Sequence, residues 1–484
     1  MWITNKIRSA MRSFLQIENA QANQITINEQ LDFISNAAKN RIWYRGKANE
    51  LSQLYKQIST DRNMFWAAVP TRGMEIRKAH TGIPKLMVDV ITAIVCADMN
   101  EVKLPEGLID RWEKIAKEND FKGLIEKAVA ETLTVGDGAF KISIDSDISS
   151  EPIIEFYPGD RIEFVRKRGR ITEVIFKTVY NSRGRKFILN EHYGYGYVRY
   201  ELLQNDRIVP MNSIDEASDL CDVEFDSNLI LAVPFMIYKN SDYEGRGRSI
   251  FDGGKTDSFD SLDEAWSQWM YAVRQARPVK YFPPEYVPKN PFNGTDMLPN
   301  PFDNVFIEGS GVISESGAAQ RPELIQPDIP HDAYLATYIT ALDLALQGII
   351  SPSTLGIDVK KLDNAEAQRE KEKTTLYTRN KIVGTLQQVL PQLIQTVFNV
   401  IAVSNNDSLS DIDIEVPFGE YANPSFESQV ETVGKGRTTG IMSIEASIDE
   451  LYGDSKDEEW KSIEVQRIKA QTGVETMSEP VFTE

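Results

Sequence analysis

Apolar side chains recur every three or four residues over the first 135 positions, a spacing that predicts helices. Trp43, Tyr44, Leu51, Leu54 and Tyr55 fall at such steps. Pro84 opens a segment with Met87, Val90, Ile91, Ile94 and Val95 on one face. Proline suits a first helical turn because the N–H it lacks would have no partner there. Phe121, Leu124, Ile125, Ala128 and Leu133 make a further stripe, and each stripe reads as core packing. At Val135-Gly136-Asp137-Gly138 the period shortens to two. KISID, PIIEFY, RIEFVRKR, ITEVIFKTVY, KFILNEHYGYGYVRYELL and LAVPFMIY alternate or are β-branched. Turn signals such as Pro158-Gly159-Asp160, Asn181-Ser182-Arg183-Gly184 and Gln204-Asn205-Asp206 separate them. One antiparallel meander from about Ala139 to Tyr238 is expected. Arg166, Lys167, Arg168 and Arg170 cluster at one turn and read as a solvated hairpin tip.

Helical spacing returns after Gly253-Gly254 with Phe259, Leu262, Trp266, Trp269, Met270 and Val273. Asp257 or Ser258 is the expected cap and Pro278 the stop. The stretch to about Pro330 is rich in Pro, Gly and Asn, with strand candidates VKYF, NVFIE and GVISE, and reads as a compact insertion between two helices. The second helix, 331–350, carries Leu335, Tyr338, Ile339, Leu342, Leu346 and Ile349 on one face. A loop over 351–363 follows, and Asp363 with Glu366 forms a capping box. The next helix is polar all round to Lys381, so it must stand in solvent or be braced by neighbours. Beyond that it turns amphipathic with Leu386, Val389, Leu390, Leu393, Ile394, Val397 and Phe398, and Gly384 and Pro391 are candidate kinks. A strand is expected over 411–416 and helix again from Pro424.

Composition narrows the chemistry. A chain of 484 residues holds two to four domains, and 41% hydrophobic with 26% charged residues is an ordinary balance. Cys96 and Cys221 are too few for a disulfide scaffold and point to a reducing compartment. His80, His192 and His331 lie far apart without zinc-ligand spacing. The N-terminus has no apolar core of signal-peptide type, and no run of the ~18 apolar residues that spans a membrane is expected. The net charge is −19, whereas a sequence-specific DNA binder would show a basic face. Residues 441–484 hold 11 acidic and 4 basic side chains. Gly253-Gly254-Lys255-Thr256 ends like a phosphate-binding loop, but Ser249 stands where the motif needs its first glycine and no buried strand leads into it. Gly194-Tyr195-Gly196 is too short for a dinucleotide fingerprint. Asp449, Glu450, Asp454, Asp457, Glu458 and Glu459 read as a solvated acidic face. No Ser or Cys nucleophile has a recognisable histidine partner. No catalytic residue, metal site or cofactor is expected.

Several segments, taken in order, resemble the portal proteins of tailed bacteriophages, in particular long-tailed phages of Gram-positive hosts. They are Trp43-Tyr44-Arg45-Gly46, RKAHTGIPKLMVDVITAIV (77–95), VGDGAFKI (135–142), Gly247-Arg248-Ser249-Ile250-Phe251 with FDSLDEAWSQW, and GIMSIEASIDELYGD (440–454). SPSTLGID followed by AEAQREKEKTT is the most specific match. Each motif is degenerate alone, and their shared order over nearly the whole chain carries the resemblance. It implies an α+β portal fold with helical wing and crown, an antiparallel β-rich wing part, a two-helix stem and a small α/β clip. Residues 1–256 would be the wing (helical over 1–135, β-rich over 136–240), 257–277 the first stem helix, 278–330 the clip and 331–350 the second stem helix. Residues 351–364 would be the tunnel loop, 365–423 the long wing helix and strand, and 424–484 the crown and acidic C-terminal tail.

The resemblance implies a dodecameric ring at one capsid vertex, without enzymatic activity, through which double-stranded DNA is packaged and ejected. Its partners would be further copies of the chain, terminase, major capsid or scaffolding protein and a head–tail adaptor. It would reside in the virion, and in host cytoplasm during assembly, with no membrane partner. The implied channel segment is Leu355, Gly356, Ile357, Asp358, Val359, Lys360 and Lys361. Lys360 and Lys361 either touch passing phosphates or face a neighbouring subunit's acidic surface; Leu355, Ile357 and Val359 pack between subunits or against the stem. Arg274, Arg277 and Lys280 would lie at the stem–clip junction, where cations also complement a helix C-terminus. Trp266 and Trp269 would pack the stem, within or between subunits. The competing readings are another structural head protein, minor capsid or adaptor, and a nucleotide-dependent enzyme resting on Lys255.

Overall fold

The computed structural model describes residues 31–58, 64–71, 75–145, 147–225, 229–239, 241–277, 279–282, 289–296, 306–308, 323–325, 328–357, 365–405, 409, 411–419, 426–452 and 458–472. The chain divides into two compact units, Met1–Pro417 and Phe418–Glu484. Helices and mainly antiparallel sheets are mixed along the chain, an α+β fold.

Among the described residues the first unit opens with helices α1 (Phe33–Arg45), α2 (Ala48–Ile58), α3 (Ile83–Ala97), α4 (Glu106–Glu118) and α5 (Phe121–Val135). Asp32 caps α1 by accepting from the Ser35 N–H at 2.7 Å, and α1 ends at Gly46 with φ of 67°. A Cβ at Gly46 would also stand 2.7 Å from the His80 ring, so both backbone and space require glycine there. Pro84 sits in the first turn of α3, which buries Ile83, Met87, Val88, Ile91, Val95 and Cys96. The buried face is rotated slightly from the expected one, and Val90 and Ile94 lie at its half-buried margin.

The expected single meander is two sheets. Strands β1 (Gly138–Ser143) and β2 (Ile153–Pro158) pair antiparallel, and β9 (Ala232–Phe235) closes on the other side of β1. The second sheet runs β3 (Ile162–Lys167), β4 (Arg170–Ser182), β5 (Arg185–Gly194), β6 (Tyr197–Gln204), β7 (Arg207–Val209), with β8 (Val223–Glu224) also pairing β6. Three of its hairpins turn over two residues with positive φ, at Arg168-Gly169, Arg183-Gly184 and Asn205-Asp206. For the two Arg-Gly turns and Asn205-Asp206 this is the geometry that matches strand twist. Ala139 and Ala232 of the first sheet share a core with Ile162, Val174, Phe176, Tyr193 and Val198 of the second. Lys141 crosses between the sheets, with Nζ 2.7 Å from Glu155 and 3.3 Å from both Glu191 oxygens. Burial opposes the Lys141 charge, but Glu191, Tyr193 and Glu155 outweigh it and hold the ammonium protonated well above the usual lysine range.

Helix α6 (Lys255–Gln275) begins two residues earlier than expected, and neither Asp257 nor Ser258 caps it. Gly253 and Gly254, at φ of 72° and 80°, turn the chain into the helix instead. A small sheet follows in the order β11 (Phe306–Glu308), β10 (Val279–Phe282), β12 (Glu323–Ile325). Its third strand is Glu323–Ile325; GVISE and Pro278 lie outside the described residues. Helix α7 (His331–Leu346) stops short of 350 at a turn through Gly348, φ 76°. Helix α8 (Ala365–Ser404) runs through Gly384 and Pro391 without a break. The Asp363–Glu366 box falls outside the described residues and side chains. Contrary to expectation, Glu372–Ser404 is long and apolar enough to span a membrane by length and composition alone, yet half of its most apolar window is buried inside the fold. It packs on α3, β1 and β9.

Residues 411–416 form no regular strand but a single antiparallel bridge, Lys103 to Glu415, because only the short segment around Lys103 lies alongside. The second unit holds α9 (Phe426–Thr438), α10 (Ile444–Tyr452) and α11 (Glu458–Thr472). Tyr452 meets Trp460 edge-on at 4.9 Å, and Lys461 pairs with Asp449 at 2.7 Å.

Candidate functional site: a helix pair and the turn that follows it

Helices α6 and α7 run antiparallel, since the start of α6 meets the end of α7 and Trp269 meets His331 at 5.9 Å. Trp266 and Trp269 stand edge-on at 6.0 Å, and Tyr338 of α7 packs on both, at 5.6 and 6.0 Å. Both tryptophans therefore pack between the two helices of one chain. At the opposite end the Lys255 ammonium donates to the carbonyls of Leu344 at 3.0 Å and Gln347 at 2.7 Å. The last carbonyls of a helix lack intrahelical donors and carry its negative pole, so a cation belongs there. Burial pulls the Lys255 pKa down.

The turn after α7 is tied to α8 by hydroxyl groups. Ser351 N–H donates to Thr375 Oγ1 at 2.9 Å, Thr378 Oγ1 donates to the Ile349 carbonyl at 2.6 Å, and the Thr354 and Thr375 hydroxyls lie 3.1 Å apart. Arg379, one residue on, donates to Asp98 from Nε at 2.8 Å and approaches it with Nη2 at 2.7 Å, fixing α8 against the end of α3. Ser353–Leu355 makes one 3₁₀ turn, closed by Gly356 at φ 71°. Leu355 and Ile357 are half-buried and Gly356 is exposed. Asp358, Val359, Lys360 and Lys361 lie outside the described residues. Arg274 and Arg277 sit half-buried at the C-terminal end of α6, engaged with neighbouring groups. Lys280 is in the central strand of the small sheet, in register with Phe306 and Leu324.

Two buried carboxylate nodes position this assembly, and neither was expected. Asp260 accepts from the Phe65 and Trp66 N–H groups at 2.8 and 3.0 Å. Asp263, fully buried, accepts from the Trp66 indole (3.1 Å), from Thr81 N–H and hydroxyl (both 2.9 Å), and lies 2.7 Å from His80 Nδ1. Ser267 accepts from the Ala79 N–H at 3.0 Å. The polar stripe Asp260-Asp263-Ser267 thus holds residues 64–81 along α6. Desolvation raises the Asp260 pKa above the usual carboxylate range, against the two backbone donors. Helical spacing of these polar residues beside Phe259 and Leu262 was the available signal. In the second node, Asp137 accepts from Arg246 Nε at 2.9 Å, Arg246 Nη2 at 2.7 Å and the Gly247 N–H at 2.7 Å. Arg246 also stacks 3.7 Å from the Phe33 ring centroid and donates to the Gly159 carbonyl. Gly136 and Gly247 face each other so closely that a Cβ at either would stand within 2.6 Å of the other's carbonyl oxygen. Gly136 of VGDGAF and Gly247 of GRSIF are therefore backbone-contact glycines.

The Lys255 ammonium is engaged by the carbonyls at the end of α7. The cavity of about 280 Å³ beside Gly253-Gly254 is lined by two carboxylates, Asp242 and Asp252, and by one cation, Lys39. Among the described residues no three or more His, Cys, Asp or Glu side chains are placed to hold a metal ion.

No protein-family model and no curated protein sequence matches the chain. Solved structures similar to it include chains of gene transfer agent particles. A chain of the virion of the native particle is 14% identical, covers 77% of this chain and 91% of its own, and has a TM-score of 0.39. One from the neck of the native particle, computed with C12 symmetry, is 12% identical, covers 78% and 91%, and has a TM-score of 0.40. One from the neck of the empty particle, computed with C6 symmetry, is 14% identical, covers 78% and 93%, and has a TM-score of 0.39.

Proposed function

We propose that this chain is the subunit of a homo-oligomeric ring of the portal type, a structural conduit for double-stranded DNA without catalytic turnover. The supporting observation is the order of parts from α6 to α8. An antiparallel helix pair brackets a small sheet, then feeds through a hydroxyl-anchored turn into a 40-residue helix. In this reading α6 and α7 line the narrow part of the channel, β10–β12 face the packaging and tail-completing partners, and the segment after Ile357 enters the channel. The charge supports passage rather than retention. A ring of subunits at −19 each repels phosphate over most of its surface, so contacts with a moving duplex stay few and brief. Engagement of Lys255 by the end of α7 argues against the nucleotide-enzyme reading, because that ammonium is not left to meet a phosphate.

The test is the native mass of the purified chain together with class averages of negatively stained particles. The expected result is a ring of about a dozen subunits around a central hole. A monomer that persists at high protein concentration and binds nucleotide would overturn the proposal.

A further inference from the structure

The solvent side of the six-stranded sheet carries an apolar row that the conduit reading leaves unused. Cross-strand register aligns Val179 of β4, Ile188 of β5, Leu203 of β6 and Ile208 of β7. Their neighbours in sequence, Phe187, Leu189 and Leu202, point into the core on the other face, so these four point outward. Val179 is 51% and Ile208 72% exposed, while Ile188 and Leu203 are half-buried. Four aligned strands make a row roughly 14 Å long, at about 4.8 Å per strand. A solvated sheet face normally carries polar residues at all of these cross-strand positions, and a contiguous apolar line on it marks a contact surface.

Charge says what the contact takes. The two hairpin turns along one side of this row carry Arg183, Arg185, Lys186 and Arg207, all exposed. None of the four makes an ion pair among the described residues, in a chain whose net charge is −19. Asp206 is the one acidic residue in those turns. Lys186 lies on the same face as Ile188, two residues away.

We propose that this row is the docking site for an acidic amphipathic helix of a partner protein. The helix lies across the strands, with its apolar stripe on Val179, Ile188, Leu203 and Ile208. Carboxylates along one flank meet the cations at the turns. A helix repeats its apolar face about every 5–6 Å, which suits a row of this pitch, whereas a strand joining the sheet would use the β7 edge and leave the row bare.

The experiment uses the full-length chain and three synthetic 18-residue peptides read by fluorescence anisotropy at low salt. One has leucines on one face and glutamates on the flanks, one replaces the glutamates by lysines, and one scrambles the glutamate peptide. The glutamate helix is expected to bind at least tenfold more tightly than either control. Ile208→Glu should weaken it at least tenfold, and Arg183→Glu with Lys186→Glu should abolish its advantage over the lysine peptide. These positions are exposed, so unchanged circular dichroism is expected and separates a lost site from a lost fold. Equal binding of the scrambled peptide, full affinity in Ile208→Glu, or no binding by any peptide overturns the proposal. So does a concentration-dependent dimer abolished by Ile208→Glu, which would make a second copy the occupant.

Discussion

Asp137 is a buried carboxylate that ties two distant segments of the chain together. Its carboxylate is fully buried and accepts three hydrogen bonds from Arg246 and Gly247, joining the end of α5 to the segment that leads into α6. Removing one partner leaves the other charge buried and uncompensated, which costs far more than the pair itself contributes. Asp137→Ala should therefore lower stability by about 3–5 kcal/mol in urea unfolding, and Asp137→Asn by less, because its amide oxygen still accepts. A loss within 1 kcal/mol for Asp137→Ala would show that the node is not stressed. The thiols make a second residue-scale case. Burial pushes the Cys96 thiol up to about 12, while Cys221 is exposed. Reactivity follows the thiolate and its access. One thiol per chain should react quickly with an aromatic disulfide reagent in the native state, and the second only after denaturation. Cys221→Ser should remove the fast reaction, and a fast reaction surviving in that variant would contradict the placement of Cys96.

At the scale of elements, the turn after α7 is held by side-chain oxygens rather than by regular structure. Thr375→Val keeps shape but leaves the buried Ser351 N–H without its acceptor, a loss of about 1–3 kcal/mol. Amide exchange should accelerate across 349–357 while α6 and α7 keep their protection. Uniform acceleration over all three elements would mean the turn is not a separate unit. These hydroxyl anchors were invisible in sequence, since threonines in a polar helix pattern read as solvent-facing. The helices were legible because each buries one face against a neighbour: Pro84 with Met87 and Ile91 places α3 almost to the residue. The hairpins were legible because their turns demand Gly, Asn or Asp. The split into two sheets was not, because β9 closes on β1 from some ninety residues away and alternation says nothing about which strand is the neighbour. Likewise 411–416 alternates as a strand should, but regular structure needs a partner segment of matching length, and only Lys103 supplies one. For the candidate site, the apolar spacing located the helix pair, whereas the carboxylate stripe on α6 was hidden inside a pattern read for its apolar residues alone.

For the whole molecule, the net charge sets how the proposed ring must behave. Subunits at −19 repel one another as they assemble, and that repulsion reaches ~30 Å in 0.01 M salt but only ~8 Å at 0.15 M. Apolar contacts between subunits lose nothing over the same range, so raising ionic strength should favour the assembled form. Native mass measured from 0.01 to 0.3 M sodium chloride is expected to shift from small species toward the ring as salt increases. The same charge predicts that duplex DNA added to preformed rings is not retained at 0.15 M salt in a filter or gel assay, since little phosphate neutralisation is on offer. Rings that fall apart as salt rises would mean that intersubunit ion pairs, rather than buried apolar surface, hold them together. Rings that retain duplex DNA tightly would mean that cations are concentrated on the channel wall, and passage would then require a motor strong enough to break those contacts at every step.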